Sequence, residues 1–247
     1  MTGLPLTLHD AALLRQGTYR MLALLLLAPD DRRAQKLRSV ALELRRAEAA
    51  LAAFAFFVPL RQLVDLLLDR PILDVAARRA AHAELFTVGP DGVRCPPFES
   101  SHAAAGEEAA GFIIAQLEHV YRRAGLGLAP ALGERPDHVA VELEFMAYLC
   151  ALEAGAWDRG ALGDAIRLLG EERMFLHLHL SGWAGALAAR LREATADPLY
   201  AATADALEAF VRHDRDLVGA LARDVERPLE DATVSSEAIR PAPAGTA

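Results

Sequence analysis

The sequence predicts an all-α protein: a single globular bundle of roughly ten helices. Three observations carry that expectation. Ala and Leu dominate a chain in which 53% of the residues are apolar and only 6% aromatic, and both residue types enter helices at little entropic cost. Val, Ile and Thr are sparse, which argues against extensive sheet. Apolar residues also recur at helical spacing, as in Leu13, Leu14, Tyr19, Leu22, Leu25 and Leu26.

In chain order, Asp10 is a candidate N-cap for a helix running to about residue 28, where Pro29 stops it. A second helical run covers residues 31 to 57, is interrupted by Pro59, and is followed by a short helix to Leu68. Pro71 suits the first turn of the next helix, which carries AARRAAHAELF to Phe86. Residues 87 to 105, TVGPDGVRCPPFESSHAAA, hold three prolines and two glycines and read as a loop, and a loop of this length is often functional. Glu107 and Glu108 open a helix to about Ala124, with Gly125 as its C-terminal cap. GLGLAPALGERP then leads into the helix PDHVAVELEFMAYL, with Asp137 where an N-cap belongs. Further helices are expected over about 160 to 170 and 172 to 195, and a last one from the Asp197-Pro198 pair. The residues after Pro228 carry few large apolar groups, so the expected organisation is one domain over 1–227 and a disordered tail over 228–247.

The formal charge of −8 weighs against nucleic acid, whose binding rests on a basic footprint, and suits a basic ligand such as an arginine-bearing peptide. Cys95 and Cys150 form no CxxC pair, and reduced thiols in the cytoplasm are the default. The N-terminus lacks a basic region followed by an apolar run, and MLALLLLA is too short to span a bilayer, so a cytoplasmic chain without stable membrane insertion is expected.

The helix beginning at Pro136 has apolar residues on nearly every side, yet holds His138, Glu142 and Glu144. At about 100° per residue, His138, Glu142, Leu149 and Glu153 share one stripe, and Glu144 points elsewhere. Ionisable groups in such surroundings are costly unless paired. The stripe therefore pairs internally or lines a groove open to a ligand. A metal reading fails on partners: His177 and His179 point about 200° apart on a helix, and His138 with Glu142 has no third ligand at matching spacing. No phosphate loop, dinucleotide fingerprint or GxSxG elbow is present, and Ser100, Ser101 and His102 are mere sequence neighbours. The alternative that remains is a helical small-molecule or nucleotide-binding protein, or an enzyme, using His138 and Glu142. PPFES offers an aromatic and a carboxylate on a stiff loop, which serves equally as turn chemistry or as the rim of a peptide groove.

Three segments in order, AELFTVGPDGVRCPPFESSH (83 to 102), PDHVAVELEFMAYL (136 to 149) and FLHLHLSGW (175 to 183), followed by DPLY at 197 to 200, resemble the TorD/DmsD/NarJ family of redox-enzyme maturation chaperones. The resemblance spans about residues 10 to 225, with Phe98 where the family usually has Tyr and His82 where it often has an aromatic. It implies an all-helical fold, no catalysis, no cofactor of its own, and binding of the N-terminal leader peptide of a molybdopterin-containing oxidoreductase subunit. Members hold that subunit while its molybdenum cofactor is inserted and delay twin-arginine export until it has folded. Monomers and helix-swapped dimers both fit such a bundle. Carried over by position, the peptide-binding residues are Leu85, Phe86, Pro97, Phe98, Glu99, Ser100, Asp137, His138, Glu142 and Phe145.

Overall fold

A computed structural model describes residues 6–69, 74–89, 92–102, 106–127 and 133–237. Ten α-helices account for most of them: α1 (Leu8–Leu26), α2 (Asp31–Arg46), α3 (Glu48–Leu51), α4 (Phe57–Asp69), α5 (Val75–Phe86), α6 (Glu107–Arg123), α7 (Val139–Asp158), α8 (Leu162–Leu178), α9 (Leu180–Ala194) and α10 (Pro198–Glu237). The expected all-α class holds, with one addition. Residues Val88–Gly89 (β1) and Gly92–Val93 (β2) pair antiparallel as a short hairpin inside the long loop, too brief for a period-2 pattern to register.

Local chemistry explains most boundaries, and corrects several expectations. Asp10 does not cap α1 from outside. Thr7 is the N-cap, and Asp10 completes a capping box: its amide donates to Thr7 Oγ1 at 3.1 Å and its carboxylate accepts from the Thr7 amide at 3.3 Å. Asp30 caps α2 by accepting from the Arg33 amide at 2.7 Å. The run expected over 31 to 57 divides after Arg46, and Pro59 stands in the first turn of α4, where its missing N–H leaves no bond unmade. Asp74 caps α5, so that helix starts at Val75; Pro71 lies outside the described residues. Glu107 and Gly125 bound α6 as expected, with Gly125 at φ +74 and its amide bonded to Arg122 O. Asp197 accepts from the Leu199 amide at 2.8 Å and starts α10. The break expected near residue 171 falls instead at His179, whose φ −125 and ψ −96 are not helical, and Gly170 lies within α8. Finally, α10 continues to Glu237, past the boundary expected at residue 227. Extending an established helix forms one bond per residue fixed, so it needs far less support than starting one. Residues 238–247 of the expected tail lie outside the described residues.

One continuous core runs from Tyr19 on α1 to Ala222 on α10, with α7 at its centre against α1 and α8, and α10 laid across α4, α8 and α9. Inside it sits an ionic cluster. Arg15, 1% exposed, donates to Glu153 of α7 at 2.6 Å, to Glu172 of α8, and to both oxygens of Asp214 of α10 at 2.5 and 3.1 Å. Tyr19 adds a bond to Asp214 at 2.5 Å, and Trp157 donates to Glu153 at 2.8 Å. One guanidinium thus ties four helices together. It faces three carboxyls, and burial outweighs its pull on one of them: Glu172 is raised from 4.5 to about 8. Between those two values folded Glu172 holds a proton that the unfolded chain has released, so its contribution to stability falls as pH rises across that window. Glu172→Gln is expected to flatten this decline, read as the urea midpoint from pH 5 to pH 8. An unaltered slope would show that another group titrates there.

Candidate functional site

The loop after β2 and the start of α7 are joined backbone to backbone. The Glu99 amide donates to Asp137 O at 2.9 Å and the Val139 amide to Pro97 O at 2.8 Å, an antiparallel bridge of Phe98 with His138. Proline at 96 and 97 stiffens the loop without cost, because neither amide is needed in that ladder. PPFES and PDH, 37 residues apart along the chain, therefore form one unit.

Side chains lock the junction. Asp137, fully buried, accepts from the Ser100 amide at 3.3 Å and from Arg135 Nη2 at 2.9 Å, and the same Arg135 nitrogen reaches Ser100 Oγ at 2.9 Å. The Arg135 guanidinium also lies over the Phe98 ring at 4.6 Å. Asp137 is consequently not the N-cap it was expected to be. His138 takes that place: its Nδ1 accepts the Ala140 amide at 3.1 Å, which leaves the ring proton on Nε2, 3.6 Å from Glu134 Oε2. Burial, then the neighbouring His82, lowers His138 to about 4 against the opposing pull of Asp137, so the ring is neutral at physiological pH.

Beneath this surface lies a buried row of polar groups. Nδ1 of His179, at the break between α8 and α9, donates to the Glu99 carboxyl at 3.0 Å. Glu142 Oε2 accepts from Trp183 Nε1 at 3.2 Å, and Trp183 in turn packs against the His102 ring at 5.2 Å. Burial, and then the nearby Glu99, hold Glu142 well above the ordinary carboxyl range; the Trp183 N–H opposes this and Asp137 adds to it. Glu142 Oε1 and Asp137 Oδ1 are buried without a partner among the described residues. The alternatives left open for the helical stripe are thereby separated. Glu142 meets an internal partner, Trp183, whereas the arginine of the first helix answers Glu153. Glu144 is exposed.

Of the ten residues singled out in the sequence, the structure brings together Pro97, Phe98, Glu99, Ser100, Asp137, His138 and Glu142. Phe98 and Ser100 are partly exposed; Glu99, Asp137, His138 and Glu142 are buried. Phe145 lies one turn further along α7, among Tyr121 and Phe175 at 5.0 and 4.7 Å. Leu85 is a core residue whose carbonyl anchors the loop by accepting from the Cys95 amide at 2.8 Å. Phe86 packs on Tyr200 and on His82, the ring that neighbours His138. Sequence reasoning overlooked Arg135 and weighed His179 only as a metal ligand. Only the i−2 spacing of Arg135 from Asp137 was available as a signal.

Among the described residues one group has the spacing of metal ligands: Cys150, Glu153 and Glu172. The Arg15 guanidinium already occupies the carboxylates' inner side, and a second cation there would face it at close range. The residues do not fit a metal. No helix among the described residues is long and apolar enough to cross a membrane.

The site is thus a loop sewn by backbone and side-chain hydrogen bonds to the start of a helix, within an all-helical chain. The sequence profile of the nitrate reductase delta subunit family matches residues 38–189. The chain belongs to this family, within which the TorD/DmsD/NarJ resemblance falls. The selenate reductase assembly chaperone protein of Thauera selenatis is 35% identical over 107 residues, which cover 43% of this chain and 53% of that protein. The match thus spans about half the length of that curated relative. A solved structure from Archaeoglobus fulgidus, assigned as a redox enzyme maturation protein, aligns with a TM-score of 0.48 and 22% identity over 80% of this chain and 93% of its own.

Proposed function

We propose that this protein is a non-catalytic maturation chaperone for a redox enzyme, and that it binds the N-terminal leader, of twin-arginine type, of a molybdopterin oxidoreductase catalytic subunit in the cytoplasm. In this reading it holds the apo-subunit during molybdenum cofactor insertion and keeps it from export until folding is complete. Family membership and the assembly-chaperone relative support the general role. The observation that carries the site is the joining of PPFES to PDH: two segments that resemble the family's peptide-binding motifs meet in one hydrogen-bonded unit.

Within that unit the leader lies against Phe98, Ser100 and the Arg135–Phe98 pair. Asp137, His138, Glu99 and Glu142 hold this surface in shape from below, and Pro97 and Leu85 fix the loop's backbone. Phe86, partly exposed beside His82, extends the apolar contact. The apolar part of a leader supplies burial energy as a helix in a groove. The enzyme or nucleotide reading has less to stand on, since His138 Nδ1 is committed to an amide and Glu142 is enclosed with Trp183.

The test is calorimetric titration of the purified chain with the synthetic leader of a co-encoded molybdopterin oxidoreductase subunit. Asp137→Ala frees the Ser100 amide and Arg135, and is expected to weaken binding at least tenfold with unchanged helicity. Equal affinity for the variant would remove the junction from the site, and silence with every such leader would end the reading.

A further inference from the structure

A second surface lies beside the junction. Helices α6, α7 and α8 enclose an open cleft of about 450 Å³. Phe145 and Phe175 form its floor, Val120 and Ala124 its α6 wall, and Met174 and Leu178 its α8 wall. The floor is closed, at 5% and 3% exposure, but Met174 and Leu178 stand 57% and 55% exposed. Two large apolar side chains one turn apart, left in water over an aromatic floor, mark a surface that gains by being covered. Gly170, on the same α8 stripe, has nothing within 4 Å of a built Cβ, so the wall is low there for no internal packing reason. From Arg167 to Leu178 the stripe runs roughly 16 Å, about three turns of a helix laid beside it.

The charge around the cleft limits what fits. Its rim carries Arg123 and Arg167 against Glu171. Arg167 spans Glu171 at 2.6 Å and Asp164 at 4.0 Å, all of them largely exposed, and such surface pairs exchange readily for a better partner. Arg123 makes no ion pair among the described residues. Among the residues that line the cleft, two arginines stand against one carboxylate, a local excess of positive charge in a chain of net charge −8. A ligand with arginines beside its apolar segment is poorly matched. So is a second copy docked by two-fold symmetry, which sets the same patch against itself and brings the arginine rims together.

We infer that this cleft is a separate docking surface for an amphipathic helix of a client protein, one that presents carboxylates beside its apolar face. Methionine on the wall suits the task, since its flexible thioether adapts to more than one apolar face. His179, which lines the cleft while holding Glu99, places the surface next to the junction without merging the two.

The probes are two synthetic amphipathic helical peptides with the same leucine stripe, one flanked by glutamates and one by arginines, each titrated into the full chain by fluorescence anisotropy. The glutamate peptide is expected to bind at least tenfold more tightly. Leu178→Glu and Met174→Glu, both at exposed positions, should each lower that affinity at least tenfold, and Arg123→Glu should shift the preference towards the arginine peptide. Asp137→Ala should leave glutamate-peptide binding unchanged, which separates this surface from the leader site. Equal binding of the two peptides, or indifference to Leu178→Glu, overturns the inference. So does displacement of the glutamate peptide by the leader, which assigns the cleft to the leader. A concentration-dependent dimer abolished by Leu178→Glu assigns it to a second copy, with the same consequence.

Discussion

Arg15→Met is expected to destabilise the protein by roughly 3–5 kcal/mol, the range for removing one partner of a buried charge pair. Methionine fills much of the space and keeps the helix propensity of α1, so the loss isolates the charge. What it leaves is Glu153, Glu172 and Asp214, all at 1% exposure or less, without the guanidinium that bonds to all three. The melting temperature should fall by on the order of 10 °C. Chemical denaturation and a thermal melt at pH 7 check both points. A deficit below about 1 kcal/mol would mean that the cluster is not held together by Arg15.

Trp183→Ala is expected to cost a similar roughly 3–5 kcal/mol, for a different reason. Trp183 is 4% exposed and fills the space between α9, the His102 ring and α7. Alanine leaves a cavity there and takes away the one hydrogen bond that the Glu142 carboxyl receives among the described residues. Trp183→Phe separates the two effects, since it retains most of the volume and loses only the N–H; about 1–3 kcal/mol is expected. Glu142→Leu in the Trp183→Phe background removes both polar partners and should recover part of that loss. Guanidinium denaturation of wild type, Trp183→Phe, Glu142→Leu and the double variant closes the cycle, with Trp183→Ala measured alongside. If Trp183→Phe costs nothing, the N–H bond to Glu142 contributes nothing, and the residue acts by volume alone.

The helix start at Asp137 shows how far local pattern reaches. Periodicity put His138, Glu142 and Glu153 on one stripe among apolar neighbours, and all three are buried. Pattern also required that such groups be paired. It had no means of choosing partners, because these come from other helices: Glu153 meets Arg15 across 138 residues of chain, and Glu142 meets Trp183 across 41. The cap went to His138 rather than Asp137 because the Ser100 amide and Arg135 compete for the aspartate, and one of these rivals lies on a loop 37 residues away. The His179 break was illegible for a similar reason. FLHLHLSGW has no glycine or proline at that point, and the departure from helical geometry turns the ring onto Glu99, 80 residues distant.

By itself, then, the sequence determined what depends on neighbours in the chain. Ala-Leu richness and apolar spacing set an all-helical class, Asp197-Pro198 and Gly125 set helix ends, and the motif segments pointed to one family. These are short-range effects: capping, propensity and amphipathic period act over three or four residues. Tertiary structure alone decided that PPFES and PDH are one site, that one arginine joins four helices, and that Met174 and Leu178 stay in water beside a basic rim. Each of these rests on a long-range contact, and burial makes each energetically consequential, because a charge removed from water depends on whichever partner the fold brings to it.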